Sequence, residues 1–311
     1  MPYKNAAEWI FDCLISIQNQ SFENWEVIGV NDSSTDESEE IFREFQKNDP
    51  RFKTFQNPGK GIIPALDFAF HQSEGKYISR IDADDLMPEK RLEQMRNLIL
   101  DSPENTVVTG LVQYFADQPI SEGYRSYESW INEINLKGLQ SENIYRECVI
   151  ASPNWLTSRE VMDSVGGFSK LSYPEDYDLV LKWYEKAVNF RVVPEVTLLW
   201  REHSKRTSRN SENYAQEAFF ELKIKAFLRL DFRQNLLIVW GKNPKSKLIS
   251  MILEARDIPF EHHDLQDYRN VEKIQKPKIL LAVYPSENER TRIQNYLISI
   301  NLMEGKDWWW V

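Results

Sequence analysis

Two short stretches of the chain concentrate carboxylates at spacings that could do chemistry. Asp82-Ala-Asp-Asp85 puts three of them in four positions directly after the apolar run Lys76-Tyr-Ile-Ser-Arg-Ile81. Glu175-Asp-Tyr-Asp178 repeats that density after Pro174. Like charges this close repel and raise one another's pKa values. A hard divalent ion, Mg2+ or Mn2+, held by one or two carboxylates together with diphosphate oxygens, relieves that repulsion and stabilises a departing diphosphate. The competing reading of the first stretch is a solvated acidic loop capping a helix that begins near Pro88. The buried strand before it and Pro88-Glu-Lys-Arg-Leu-Glu93 after it favour a site. In the second stretch, Glu175 and Asp176 are neighbours, and neighbours on a helix point in different directions. One can take the proton of an attacking hydroxyl on the side opposite a leaving group, while the other positions a loop. Acidic residues also favour a helix start through its dipole; the two roles are compatible, and Asp178 reads as structural. Lys205, Arg206 and Arg209 follow His203 and read either as a grip on a diphosphate or charged acceptor or as a solvated loop.

The elements around these stretches alternate. Apolar spacing gives a helix over 6–19, a buried strand over 25–30, a helix over 36–46 capped by Ser34 or Thr35, a strand over 52–56, a helix over 63–71 and a strand over 76–81. Strands separated by helices of about ten residues predict a largely parallel sheet covered on both faces. In such sheets the ligand lies beyond the carboxyl ends of the strands, so Asn31-Asp32 and Asp82–Asp85 are expected to face one crevice. From 104 to 209 the pattern is irregular and rich in aromatics, which reads mainly as core packing, with a stacking platform for a sugar ring left open. A long helix over 214–230 precedes a second alternation: strand 236–240, helix 245–255, strand 260–264, strand 278–283 and helix 287–300. The expected organisation is a large α/β domain over 1–232 and a small Rossmann-like α/β domain over 233–311, of unknown role. Trp240-Gly241-Lys-Asn-Pro-Lys-Ser246 lacks the further glycines that close approach to a pyrophosphate needs, so the small domain reads as structural or partner-binding. Adjacent His262 and His263 point to opposite faces of a strand and read as surface residues. Trp308-Trp-Trp310 reads as an association patch or as a segment folded back onto the small domain.

Composition narrows the function classes. With 311 residues, 41% apolar and 28% charged, the chain has the balance of a soluble globular protein. A net charge of -10 argues against a general nucleic-acid binder. The two cysteines, Cys13 and Cys148, lie in apolar runs and read as reduced core residues. The amino terminus lacks the pattern of a signal peptide and no window is apolar for long enough to span a bilayer. The expected location is the cytoplasm; peripheral contact with the inner face of a membrane and self-association are left open.

Several motifs then line up in one order: Met1-Pro-Tyr-Lys-Asn5, Asn19-Gln-Ser-Phe22, Val30-Asn-Asp-Ser-Ser-Thr-Asp36, Gly59-Lys-Gly61, Arg80-Ile-Asp-Ala-Asp-Asp85 and Pro174-Glu-Asp-Tyr-Asp-Leu179. Together they resemble glycosyltransferase family 2, the inverting enzymes of GT-A fold, over residues 1 to about 210. The resemblance implies a metal-dependent transferase that moves a sugar from a nucleotide-diphosphate sugar, with UDP preferred, onto a saccharide or lipid-linked acceptor in surface polysaccharide or glycoconjugate synthesis. It implies that Asp32 contacts the nucleobase in a pocket lined by Pro2 and Tyr3, and that Lys60 lies near the nucleotide. Asp82 then meets the ribose or the metal, Asp84 is the principal metal ligand with Asp85 beside it, and Asp176 is the base. Trp200-Arg-Glu-His203 resembles the family's later Tyr-Arg-x-His segment, which implies His203 as a further metal ligand or diphosphate contact. Two departures stand out: Asn31-Asp32 replaces two successive aspartates, and Met1-Pro2 comes without the short apolar strand that ordinarily leads into it, which predicts an uncovered sheet edge. The competing function is a non-catalytic nucleotide-sugar binder or assembly subunit. A nucleotidyltransferase is disfavoured, because no glycine-rich phosphate loop with a lysine stands near the first strand.

Overall fold

The computed structural model describes residues 1–233, 236–264, 271, 274 and 276–311, except the side chain of Ser208. Its contacts divide into two compact units, Met1–Gly138 with Val149–Asn210, and Leu139–Cys148 with Ser211–Val311.

The first unit runs β1 (Pro2–Tyr3), α1 (Ile10–Gln18), β2 (Val27–Asn31), α2 (Ser38–Asn48), β3 (Phe52–Gln56), α3 (Ile62–Gln72), β4 (Tyr77–Ser79), α4 (Arg91–Leu100), β5 (Thr106–Phe115), α5 (Glu122–Lys137), β6 (Trp155–Ser158), α6 (Arg159–Ser164), α7 (Glu175–Glu185), β7 (Asn189–Arg201) and α8 (Thr207–Asn210). The helical spacing read from the sequence sets the packing. α1 buries Ile10, Cys13, Leu14 and Ile17, one stripe at i, i+3, i+4 and i+7. β2 is buried at all five positions, as a strand covered on both faces must be. The strands form two sheets, an all-parallel β1-β2-β3 and a mixed β4-β6-β5-β7 in which β6 runs antiparallel to both neighbours. β4 is thus an edge strand, and an apolar cleft of about 420 Å³ opens beside it, lined by Val27 and Ile28 of β2, by Tyr77 and Ile78, and by Leu66 and Phe70 of α3. No side-chain oxygen of Ser34 or Thr35 caps α2; Asp36 Oδ1 instead accepts from Ser38 N at 3.1 Å.

The second unit contains α9 (Gln216–Leu230), β8 (Leu237–Trp240), α10 (Pro244–Glu254), β9 (Phe260–His263), β10 (Lys278–Leu281), α11 (Glu287–Ser299) and β11 (Trp308–Trp310). Its sheet is entirely parallel, in the order β11-β10-β8-β9. That is a doubly wound arrangement with its reversal between β8 and β10. Where the sequence suggested a domain boundary near Arg233, the compact units divide at Asn210–Ser211, and the long helix groups with the second. One reason lies in α9 itself, which buries Phe220, Ile224 and Phe227 and sets Phe227 edge-on to Trp309 of β11.

Two expectations for this unit resolve in particular ways. Trp308, Trp309 and Trp310 are buried as the edge strand β11, so the segment folds back. His263 is buried, against the surface reading, with Nε2 2.9 Å from Glu261 Oε2; the adjacent His262 is exposed, as the surface reading had it. The turn after β8 is a helix start. Asn243 and Ser246 form a reciprocal capping box with Pro244 at the first helical position. Gly241 sits at φ +139 where a Cβ would lie 2.2 Å from Ala282 O, so no other residue fits.

Candidate active site

Each carboxylate of the acidic turn meets a different partner, because β4 ends at Ser79 and the chain bends from Arg80 onward. Asp82 accepts from Arg80 Nε at 2.8 Å, and a second guanidinium nitrogen lies 3.3 Å from its other oxygen. Asp84 Oδ2 lies 2.8 Å from His203 Nε2. Asp85 turns inward, 1% exposed, and accepts from Arg201 N at 2.8 Å. The turn is zipped to the end of β7 by the reciprocal Leu86–Leu199 bridge and by Arg201 Nε donating to Asp84 O at 2.8 Å. Burial first, then the Asp84 and Asp82 charges, pushes the Asp85 carboxyl well above the usual carboxylate range.

Arg80 links this turn to the start of α7. Its guanidinium, 6% exposed, donates to Glu175 Oε1 at 3.0 Å while holding Asp82. A charge buried this deeply persists only when paired. Asp176, the next residue, is half-buried, and its Oδ1 accepts from Tyr177 N at 2.8 Å. Burial, then the Glu175 charge, raises the Asp176 carboxyl to about 7, against the pull of Arg80. Asp178 is engaged structurally, as expected, accepting from Ser172 N at 2.7 Å and Lys182 Nζ at 3.1 Å.

Asp32, at the end of β2, organises the neighbouring loop. Its Oδ1 accepts from Asn57 Nδ2 at 2.6 Å and Gly61 N at 2.9 Å, and Oδ2 pairs with Lys4 Nζ at 3.3 Å. Burial opposes its ionisation, but these donors hold the carboxyl below its ordinary range. Gly61, at φ +92, would place a Cβ 3.1 Å from the Tyr173 hydroxyl. That hydroxyl hydrogen-bonds the backbone of Ile62 and Ile63 at the start of α3, and feels both Asp32 and Glu175. Tyr173 therefore joins the Asp32 loop to the start of α7.

The structure brings Asp32, Asp82, Asp84, Asp176 and His203 into this connected framework and leaves Lys60 exposed on the loop. Pro2 and Tyr3 are buried in β1; the Tyr3 ring stacks on Phe42 and its hydroxyl lies 2.6 Å from Thr54 Oγ1, so that side chain packs into the core. The basic stretch is engaged too: Lys205 with Glu8 at 2.9 Å, Arg206 with Glu202 at 3.3 Å, and Arg209 with Glu202. Sequence reasoning passed over Arg80, Tyr173 and Trp9, whose ring stacks on His203 with centroids 3.8 Å apart. A lone arginine in an apolar strand was the available signal for Arg80, since a buried charge requires a partner.

Among the described residues, no three His, Cys, Asp or Glu side chains gather to hold a metal by themselves. The Asp84–His203 pair nevertheless supplies the oxygen and imidazole donors a divalent ion takes, and His203 Nδ1 is buried with no hydrogen-bond partner. Two protein donors suit an ion that completes its shell with diphosphate oxygens and water.

The sequence profile described as Glycosyl transferase family 2 matches residues 1–166. The chain belongs to glycosyl transferase family 2. Among relatives of this family 2 chain, an uncharacterized glycosyltransferase of Rickettsia bellii is 31% identical over 176 residues, 57% of this chain and 24% of that protein. The putative glycosyltransferase EpsH of Bacillus subtilis is 28% identical over 160 residues, 47% of this chain and 45% of EpsH. The chain thus matches less than half the length of either relative. In structure it is similar to S. aureus TarS 1-349 in complex with UDP-GlcNAc, with TM-score 0.57, 15% identity, and 96% of this chain and 78% of that one covered. It is also similar to the mannosyltransferase PcManGT from Pyrobaculum calidifontis in complex with GDP-Man and Mn2+, with TM-score 0.52, 17% identity, and 96% and 84% covered. These likenesses give the fold, which is GT-A. No helix among the described residues is long and apolar enough to cross a membrane.

Proposed function

We propose that the chain transfers a glycosyl group, with inversion, from a nucleotide-diphosphate sugar to an acceptor hydroxyl in the assembly of a surface polysaccharide or glycoconjugate. UDP is the favoured nucleotide, in keeping with the TarS complex named above. The observation that carries this reading is the Arg80 bridge, which ties Asp82 of the acidic turn to Glu175, the neighbour of Asp176. The turn on the leaving-group side and the residue next to the proton acceptor thereby share one ion-pair chain. The Asp176 carboxylate takes the proton of the acceptor hydroxyl as its oxygen bonds to the anomeric carbon, and the bond from that carbon to the diphosphate oxygen breaks. Raised to about 7, this carboxyl is a stronger base than an ordinary aspartate and still largely ionised slightly above neutrality. Asp84 and His203 would hold the divalent cation, which when bound neutralises charge on the diphosphate. Asp85 keeps the turn fastened to β7, while Asp32 and the loop carrying Lys60 shape the nucleotide side.

Calorimetry with UDP, GDP and dTDP, with and without Mn2+, tests the donor assignment; equal affinity in the two metal conditions would count against the cation role. Comparing transfer and donor hydrolysis by the wild type and Asp176→Asn separates an enzyme from a non-catalytic binder. Binding without turnover by the wild type would establish the binder.

A further inference from the structure

Behind the start of α7 lies a small chamber whose walls include Arg80, Ser152, Trp155, Glu175, Asp176 and Trp183. It leaves about 10 Å³ for the centre of a water molecule, roughly one sphere's worth. Two of its walls carry polar atoms that are buried and make no hydrogen bond within the protein, Ser152 Oγ and Trp183 Nε1. Trp183 is fully buried, so its N–H cannot reach bulk solvent. Orphaned donors of this kind cost roughly 1–3 kcal/mol each, and two beside one cavity point to a shared partner. Asp176 and Trp183 stand seven residues apart on α7, two turns along the same face. Ser152 belongs to the loop before β6, whose position is fixed by Trp155 Nε1 donating to Ser152 O at 2.8 Å.

We propose that this chamber is a built site for a single water molecule that accepts from Trp183 Nε1–H, bonds the Ser152 hydroxyl and donates to the Asp176 carboxylate. Apolar residues cannot satisfy these atoms, a cation gains nothing from the donor-only Trp183 N–H, and an anion would face the Glu175 and Asp176 carboxylates. Three polar partners are the usual complement of a buried water. The water stabilises the ionised carboxylate and fixes the plane in which it meets the acceptor hydroxyl, which makes Ser152 and Trp183 positioning residues. That functional half rests on Asp176 being the base; occupancy of the chamber does not.

A crystal structure of the whole chain, at a resolution that shows ordered water, tests the site directly. The expected result is a density peak within hydrogen-bond distance of Ser152 Oγ and Trp183 Nε1, and its loss in Trp183→Phe, which keeps an aromatic ring while removing the donor. A chamber without a peak in the wild type overturns the proposal. The pH dependence of kcat/KM tests the role: losing a hydrogen bond to the ionised carboxylate moves the acid limb of Trp183→Phe and Ser152→Ala about one pH unit upward, with donor KM unchanged. An occupied chamber with an unmoved limb overturns the positioning role. Full turnover by Asp176→Asn, with the peak still present, removes the base assignment and leaves the water site standing. Should Trp183→Phe fold poorly, Ser152→Ala carries both measurements.

Discussion

The acidic turn at 82–85 and the start of α7 at 175–178 carry the same number of carboxylates at the same density, yet the fold treats them differently. At the turn, backbone bending sends the three in separate directions, to Arg80, to His203 and to the backbone N–H of Arg201. On the helix, rotation of about 100° per residue does the separating: Glu175 goes inward to Arg80, Asp176 to the mouth of a small chamber, and Asp178 back to Ser172 N. Crowding in sequence therefore splits in space: Asp82, Glu175 and Asp178 find cationic partners, while Asp85 and Asp176 still feel their neighbours' charges. Part of the neutralisation first ascribed to a metal comes from Arg80, which pairs with Asp82 of the turn and with Glu175 of the helix. Asp84 is the carboxylate of the turn whose partner, an imidazole, is itself a metal ligand type.

Altering one member at a time makes the comparison sharper or breaks it. Asp176→Asn is expected to lower kcat by about 10²–10⁴-fold, the range of a lost general base, with UDP affinity unchanged by calorimetry. Arg80→Met strips both clusters at once and leaves Glu175 buried without its partner. Urea unfolding should show a loss of roughly 3–5 kcal/mol, and a loss below about 1 kcal/mol would mean the bridge does not join the clusters. Asp84→Asn should weaken Mn2+-dependent UDP binding by at least about tenfold, the lower end of what even an outer-shell change costs a metal site, while Asp85→Asn leaves it unchanged. Asp178→Asn, with Ser172 N and Lys182 still nearby, should cost about 1–2 kcal/mol in the same unfolding assay.

The two clusters also differ in their response to pH. Because burial raises the Asp176 carboxyl to about 7, the native state keeps a proton that the unfolded chain releases near pH 4. The stability due to this group is complete below about pH 4 and is lost as pH rises through about 7. With Asp176 as the proposed base, transfer should run the opposite way, kcat/KM climbing towards a plateau above about pH 7. Asp176→Asn should flatten this part of the stability profile; an unchanged profile would show that another group titrates there.

Alternation of apolar runs was enough to place β3 at Phe52–Gln56 and most helices to within a few residues, because one buried stripe fixes each of them. The acidic turn and the start of α7 stood out in the sequence because carboxylates there exceed what packing needs. Less legible was everything that depends on a partner distant in sequence. Tyr3 reads as a pocket residue until Phe42 and Thr54 arrive beside it. His263 reads as exposed until the end of β9, where it lies, is covered by the fold. Arg80 shows no role until Glu175, ninety-five positions away, becomes its neighbour. Trp308–Trp310 could be read either way, because an apolar edge strand and a sticky surface patch have the same composition.

β7 also has a consequence for how this architecture can vary. Residues 175–203 form one uninterrupted stretch that begins with Glu175 and Asp176, crosses the sheet along β5, and ends with His203 against Asp84. A shift of β7 along β5 would carry the imidazole away from its aspartate while leaving the helix start in place. Insertions between α7 and β7, by contrast, would be absorbed in the short turn joining them, because the β5 register and the Leu86–Leu199 bridge pin β7 in place; that turn is where a lineage or a protein engineer could add chain while the Asp84–His203 contact stands.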